Sequence, residues 1–290
     1  MTIFRIQTLA PNARRRSCRT TRFFDTFGDF VSCARRGHVQ AAALEFRLGL
    51  KLSVIWLASI AVSLAHAQTS FQLEGAAVWQ SLNEVAIPGD TGTRFDLVKF
   101  GRGPKPGLRV YVAHKFDERH ELRALIAPLA FELTGEFDSA VSFQGASFAA
   151  RTPTTAGYRF NSYRLTYAYH MDPLGDLRWA VGFTGKIRDA QIRLQQGTTE
   201  AAKDNVGFVP LLHLRAQYPI SEGLGLRFDM DGLAAPQGRA FDVLLAIDAQ
   251  ITDELSGYIG YRTVEGGADN KTVYNFAWLH FAVLGATLSF

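Results

Sequence analysis

Cysteine is nearly missing from this sequence. The two that occur, Cys18 and Cys33, both precede residue 67. From residue 68 onward a disulfide framework and a thiolate metal site are therefore excluded. Long hydrophobic runs are missing as well. No stretch after residue 67 approaches the roughly 20 apolar residues that a membrane-crossing helix needs, and mean hydropathy is close to zero. A basic surplus is missing from the same part. The +4 net charge comes from the first 67 residues, which hold 10 Lys and Arg against 3 Asp and Glu, whereas residues 68–290 hold 21 against 24. A basic nucleic-acid-binding face is thus not expected. The seven His residues show no metal-ligand spacing, and no cofactor is expected. Gly101–Gly107 is glycine-rich, but without a strand-to-helix context it reads as a loop and no phosphate cradle. The sequon at Asn270 and Thr272 reads as chance.

What is present begins with an export signal. Arg47 and Lys51 precede a 13-residue apolar run, Leu52–Leu64, followed by Ala65, His66 and Ala67 as an A-x-A cleavage site. The order of these parts and the length of the run are those of a signal peptide over residues 47–67. Gln68 is then the expected mature N-terminus. Residues 1–46 carry Arg14–Arg16, Arg35 and Arg36 and no clear pattern. They read either as an extension upstream of a true start near Val39–Leu50 or as a long targeting leader, and in both readings stand outside the fold.

After Gln68 the hydrophobic period is two. In 240–251, Phe241, Val243, Leu245 and Ile247 alternate with Asp242, Ala246 and Asp248. Segments 177–188, 206–218 and 224–231 repeat the pattern. Short turns at 117–119, 172–176, 220–223 and 252–254 alternate with longer connections at about 83–106, 135–156, 195–205, 232–238 and 266–272. Short turns on one side and long loops on the other are the habit of membrane β-barrels. The expected strands are about 69–82, 107–116, 120–134, 157–171, 177–194, 206–219, 224–231, 239–251, 255–265 and 273–290. The expected fold is thus all-β, a closed antiparallel up-and-down transmembrane barrel of ten strands, or eight if the first hairpin is misread. Ala140–Ala149 reads as an extra strand pair rising above the membrane. A soluble β-sandwich shares short turns and alternation, but these strands are longer than the usual five or six residues. Nothing else in the chain could cover their apolar faces.

The last strand carries Tyr274, Phe276, Trp278, Ala282, Leu284, Ala286, Leu288 and a terminal Phe290 on one face, with His280 interrupting the apolar series. In this the chain resembles outer-membrane β-barrel proteins of Gram-negative bacteria. Tyr158–Tyr167 and Glu265–Asn270 look like segments of an uncharacterised small-barrel family among them. The resemblance implies residence in the cell outer membrane, contact with its lipid, and escort by periplasmic chaperones to the barrel-assembly machinery. Trp278, Leu284, Leu288 and Phe290 would then be the assembly signal. Tyr158, Tyr163, Tyr167, Tyr169, Trp179, Tyr218, Tyr261, Tyr274 and Trp278 read as interface girdles.

Parity places Arg109, Lys115, Arg123, Arg164, Lys186, Arg188, His213, Arg215, Arg227, Asp229, Asp231, Asp242, Asp248 and Arg262 inside, with basic residues mostly on strands two to six and acidic ones on seven and eight. A hairpin centred at Ala235 and Pro236 sets Asp229 opposite Asp242. One centred near Ser221 sets His213 beside Asp229 and Arg215 beside Arg227. The polar cluster is then His213, Arg215, Arg227, Asp229, Asp231, Asp242, Asp248 and Arg262. Three functions fit it: a salt-bridged structural plug, a narrow passive pore for small polar solutes, or a hydrolase. The last rests on a resemblance to the omptin proteases, which implies water activation by Asp229, Asp242 and His213, although omptin sites lie higher, at the rim. Lipid A deacylase barrels use a His-x-Ser pair, and no His-x-Ser occurs in this chain.

Overall fold

The computed structural model describes residues 68–290 except Gln237. The expected signal peptide over 47–67 and the extension over 1–46 lie outside the described residues. Along the chain, strands run β1 (Gln68–Ala86), β2 (Phe95–Asp96), β3 (Lys105–Lys115), β4 (His120–Ala127), β5 (Ala130–Gly135), β6 (Val141–Phe143), β7 (Ala146–Phe148), β8 (Thr154–His170), β9 (Arg178–Gln196), β10 (Thr199–Ser221), β11 (Leu224–Ala235), β12 (Gly238–Gln250), β13 (Leu255–Asp269) and β14 (Tyr274–Ser289). Each long strand pairs antiparallel with its neighbours in sequence, and β14 returns to pair with β1 (Phe71 with Leu288, Ala77 with Ala282, Ala86 with Tyr274). β4 and β5 form one wall strand, interrupted at Pro128 and Leu129. Its register against β8 passes unchanged, since Ala127 pairs with Ser162 and Ala130 with Arg159. Among the described residues ten wall strands therefore close into a barrel, the first and last of them paired as a sheet inside hydrocarbon requires.

The wall is built from the alternation in the sequence. Leu165, Phe183, Phe208, Leu212, Leu245, Ile259 and Leu284 are exposed on the outer face, while Arg164, Lys186, His213 and Asp242, of the opposite parity on their strands, are buried inside. A bulge in β1 between Gln80 and Leu82 switches the parity there. Glu74 and Val78 point inward before it, and Asn83 and Val85 after it. Tyr167, Tyr169, Trp179 and Tyr218 lie outward near the short turns, as a girdle does. Tyr158 does not join them. It has the parity of Arg164 and is buried in the lumen. No helix among the described residues is long and apolar enough to cross a membrane. The membrane is crossed by strands, and the chain is an integral β-barrel of the cell outer membrane. The short turns and both barrel ends at Gln68 and Ser289 mark the periplasmic side, and the longer connections the outer side.

The connection between β9 and β10 is shorter than the sequence suggests. β9 and β10 meet through a turn at Gly197 (φ 57°), and strand pairing runs through 195–205 as far as Thr199 with Gln196. The polar residues there have paired partners above the membrane, so composition alone mistook tall strands for loops. The segment at Ala140–Ala149 does form a strand pair, β6 with β7. It packs into an apolar cap instead of standing free. Phe143 and Phe148 are fully buried together with Leu97, Phe95, Phe100 and Phe137 from the neighbouring loops.

Candidate functional site: a paired lumen beneath an outward chamber

Beneath the cap, the middle of the lumen is a layer of ion pairs. Asp242 accepts from Arg109 (2.8 Å), Arg164 (2.6 Å) and Arg262 (2.6 Å). Arg262 reaches back to Glu74 on β1 (2.8 Å), whose carboxylate also accepts the Tyr258 hydroxyl (2.8 Å). Arg164 spans from Asp242 to Asp231 (2.8 Å). Asp231 also accepts from the Thr184 hydroxyl (2.8 Å) and lies 2.9 Å from His213 Nδ1. The Tyr111 hydroxyl accepts from both Arg109 (2.9 Å) and Arg262 (3.1 Å).

A second layer lies nearer the periplasm. Arg123 pairs with Asp229 (2.6 Å), and Arg215 joins Asp229 (3.3 Å) to Glu121 (2.9 Å). His170 adds a contact to Glu121 (2.9 Å), and Arg227 pairs with Asp248. Six arginines thus meet six carboxylates. A buried ion is tolerated only where its partners and hydrogen bonds replace water, and both layers meet that condition.

The register differs from the expected one by two residues at both hairpins. Asp231, not Asp229, faces Asp242. His213 lies beside Asp231, Arg215 beside Asp229, and Arg227 beside Gln217. In the second case Gly223 adopts a positive φ of 72° and takes the turn one residue beyond Ser221. In the first the pairing closes at Ala235 with Gly238, again one residue late. Asp231 and Asp242 do not need to share a proton, because Arg164 bridges them.

Sequence reasoning missed Glu74 and Glu121, both buried in these layers, and so misplaced the acidic residues. They lie on the first and third wall strands as well as on β11 and β12. The signal was in the inward list itself. Nine Lys and Arg against four Asp leave an imbalance that a lumen must correct, and Glu74 and Glu121 have the right parity to do so.

Above the ion layers, on the outer side, lies a chamber of about 460 Å³. β8, β9 and β10 line one side of it and β11 to β14 the other. Its floor is Arg164, Lys186 and Asp242. Among the described residues no metal-ligand cluster occurs.

The chain is similar to several solved structures at low identity. The outer membrane protease OmpT of Escherichia coli is 9% identical, with 77% of this chain and 97% of that one covered and a TM-score of 0.46. The β domain of the Bordetella autotransporter BrkA is 13% identical, covering 77% and 100%, with a TM-score of 0.43. Neisserial surface protein A is 10% identical, covering 77% and 97%, with a TM-score of 0.35. No protein-family model and no curated sequence matches the chain.

Proposed function

We propose that this outer-membrane barrel is a plugged, non-conducting one, whose lumen serves as a structural core and whose outer half is kept open as a chamber. The observation that carries the reading is the charge-matched double layer across the middle of the barrel. Glu74, Arg109, Arg164, Asp231, Asp242 and Arg262 are each at most 6% exposed. Every one of these carboxylates is held by at least one arginine. An ion crossing the barrel would have to break such pairs in a confined, poorly solvated space, which costs far more than the thermal energy. The narrow-pore reading needs a wetted path, and the deep burial of these side chains counts against one.

Water activation by Asp229, Asp242 and His213 has no geometric support. Asp229 and Asp242 are both saturated by arginine. The Nε2 of His213 is free but buried, and the residue borders neither the chamber nor the two smaller cavities. A general base must reach the proton it takes. Trp278, Leu284, Leu288 and Phe290 are exposed on the outer face of the closing strand, where an assembly factor could meet them before closure. We read them as the assembly signal.

Conductance in a planar bilayer tests the proposal, using protein extracted from outer membranes. The expected record is silent. Discrete ohmic steps that vanish in an R164L/D242L variant would place the current in the lumen and overturn the reading.

A further inference from the structure

The chamber is not sealed by the barrel wall. β10 pairs with β11 only from Ser221 up to Leu212 opposite Gly232. Above that, β10 continues to Thr199 with β9 as its partner, while the last residues of β11 pair with β12. Among the described residues, the β10 edge over 199–211 therefore has no partner on the β11 side. Pro210 lies on that stretch, and a strand tolerates proline where its missing N–H would face no ladder. The β3–β5 seam is also unpaired above Val110. There Pro128 and Leu129 fill the space and leave only about 20 Å³. At the β10–β11 notch the space is open, and Phe208, Pro210 and Leu233 border the chamber.

The height of the notch is set by the outward residues. On β10 these are polar at Glu200 and Asp204 and become apolar at Val206, Phe208 and Leu212. The opening thus lies at the outer-leaflet edge of the lipid-facing band. Backbone left unpaired at membrane depth is tolerated where it lines a cavity, which is what this edge does.

The chamber also carries charge that the lumen does not compensate. Six Lys and Arg side chains line it against two carboxylates, Asp242 and Glu265. Those carboxylates are already taken, Asp242 by the ion layer and Glu265 by Arg239 (2.6 Å). Lys186, Arg188 and Lys203 have no ion pair among the described residues. Lys186 is only 3% exposed and sits 4.7 Å from the centroid of the Phe160 ring. Arg188 donates to Asn205 with one arm, while its Nε and the Tyr158 hydroxyl are buried without a partner. Lys186, Arg188 and Tyr158 thus all line one cavity that also has an apolar mouth. A buried ammonium with no counter-ion is costly, and an anionic ligand would offset that cost.

We propose that the chamber binds a single-chain amphiphile with an anionic head, admitted sideways from the outer leaflet through the β10–β11 notch. The head meets Lys186, Arg188 and the Tyr158 hydroxyl, and the chain lies along Phe160, Leu211 and Leu233 towards the lipid. The volume falls in the range of about 300–1,000 Å³ usual for small-molecule pockets. The inference goes beyond the non-conducting reading and does not depend on it, since a conducting path through the ion layers would leave the chamber wall unchanged.

The test is binding of cis-parinaric acid, followed by its fluorescence, to the full chain in phosphatidylcholine nanodiscs. Palmitate, methyl palmitate and inorganic phosphate serve as competitors. Saturable binding is expected, displaced by palmitate and about tenfold less well by the uncharged ester. Lys186→Gln should weaken binding by about tenfold and Lys186→Arg should restore it, a factor of ten being one lost charge-assisted contact. Leu233→Trp should obstruct the mouth and slow uptake without touching the cationic floor. If Lys186→Gln does not assemble, Arg188→Gln makes the same comparison. Absence of saturable binding, equal competition by the ester, or unchanged affinity in the glutamine variants would overturn the proposal. Displacement by inorganic phosphate alone would mark a free-anion site and overturn it too.

Discussion

Asp242 accepts from three guanidinium groups, those of Arg109, Arg164 and Arg262. Replacing it with alanine leaves three arginines crowded in one buried layer. The expected loss is about 3–5 kcal/mol, as when one partner of a buried pair is removed, read from urea unfolding in detergent. Arg239→Ala breaks a bridge to Glu265 whose arginine is half exposed, and less than about 1 kcal/mol should follow. In the 116–120 turn, Asp117 accepts the amides of Arg119 and His120, both at 2.8 Å. These hydrogen bonds hold its carboxyl below the ordinary value of 3.8. With the folded pKa depressed, its contribution is present above the unfolded pKa and lost as pH falls through the folded one. Carbon-detected titration should show a midpoint below that of an unstructured Asp; an ordinary midpoint would mean the turn hydrogen bonds are absent in solution.

At the scale of elements, the β6–β7 hairpin holds the apolar cap with Phe143 and Phe148. Phe143→Ala together with Phe148→Ala should loosen the loops, because deleting a buried phenylalanine costs about 3–5 kcal/mol. The wall is closed independently by β14 on β1. Amide exchange should therefore rise sharply across residues 87–104 and 136–153 while the barrel keeps its unfolding midpoint. A fall in that midpoint would make the cap part of the barrel's own stability. The hairpin itself was legible in the sequence as an extra strand pair at Ala140–Ala149. Its burial was not, because the residues that cover it come from a loop some forty positions earlier.

For the molecule as a whole, the outer face has to meet hydrocarbon. Leu245 lies in the middle of β12, whereas Ile251 lies just beyond it by the periplasmic turn; both are exposed. Leu245→Arg should cost about 2–4 kcal/mol, and Ile251→Arg about 0–1, in the same urea experiment in lipid. Equal costs would contradict a membrane-spanning band at this height. Closure of ten strands should also give an unboiled form that migrates faster on a denaturing gel than the boiled one.

Alternation, turn residues and an apolar last strand determined the wall of this protein. A strand whose side chains alternate between two surroundings declares both faces locally, so strand number, direction and the inward parity of Arg164, His213 and Asp242 could be read along the chain. What only the tertiary structure decided is which inward residues meet. A turn displaced by one residue moves every pair by two, so Asp231 and not Asp229 came to face Asp242. Closure then brought Glu74 on β1 to Arg262 on β13. The notch between β10 and β11 and the uncompensated Lys186 behind it belong to the same level. Each arises from unequal strand heights and from partners distant in sequence, and neither is a property of any one segment.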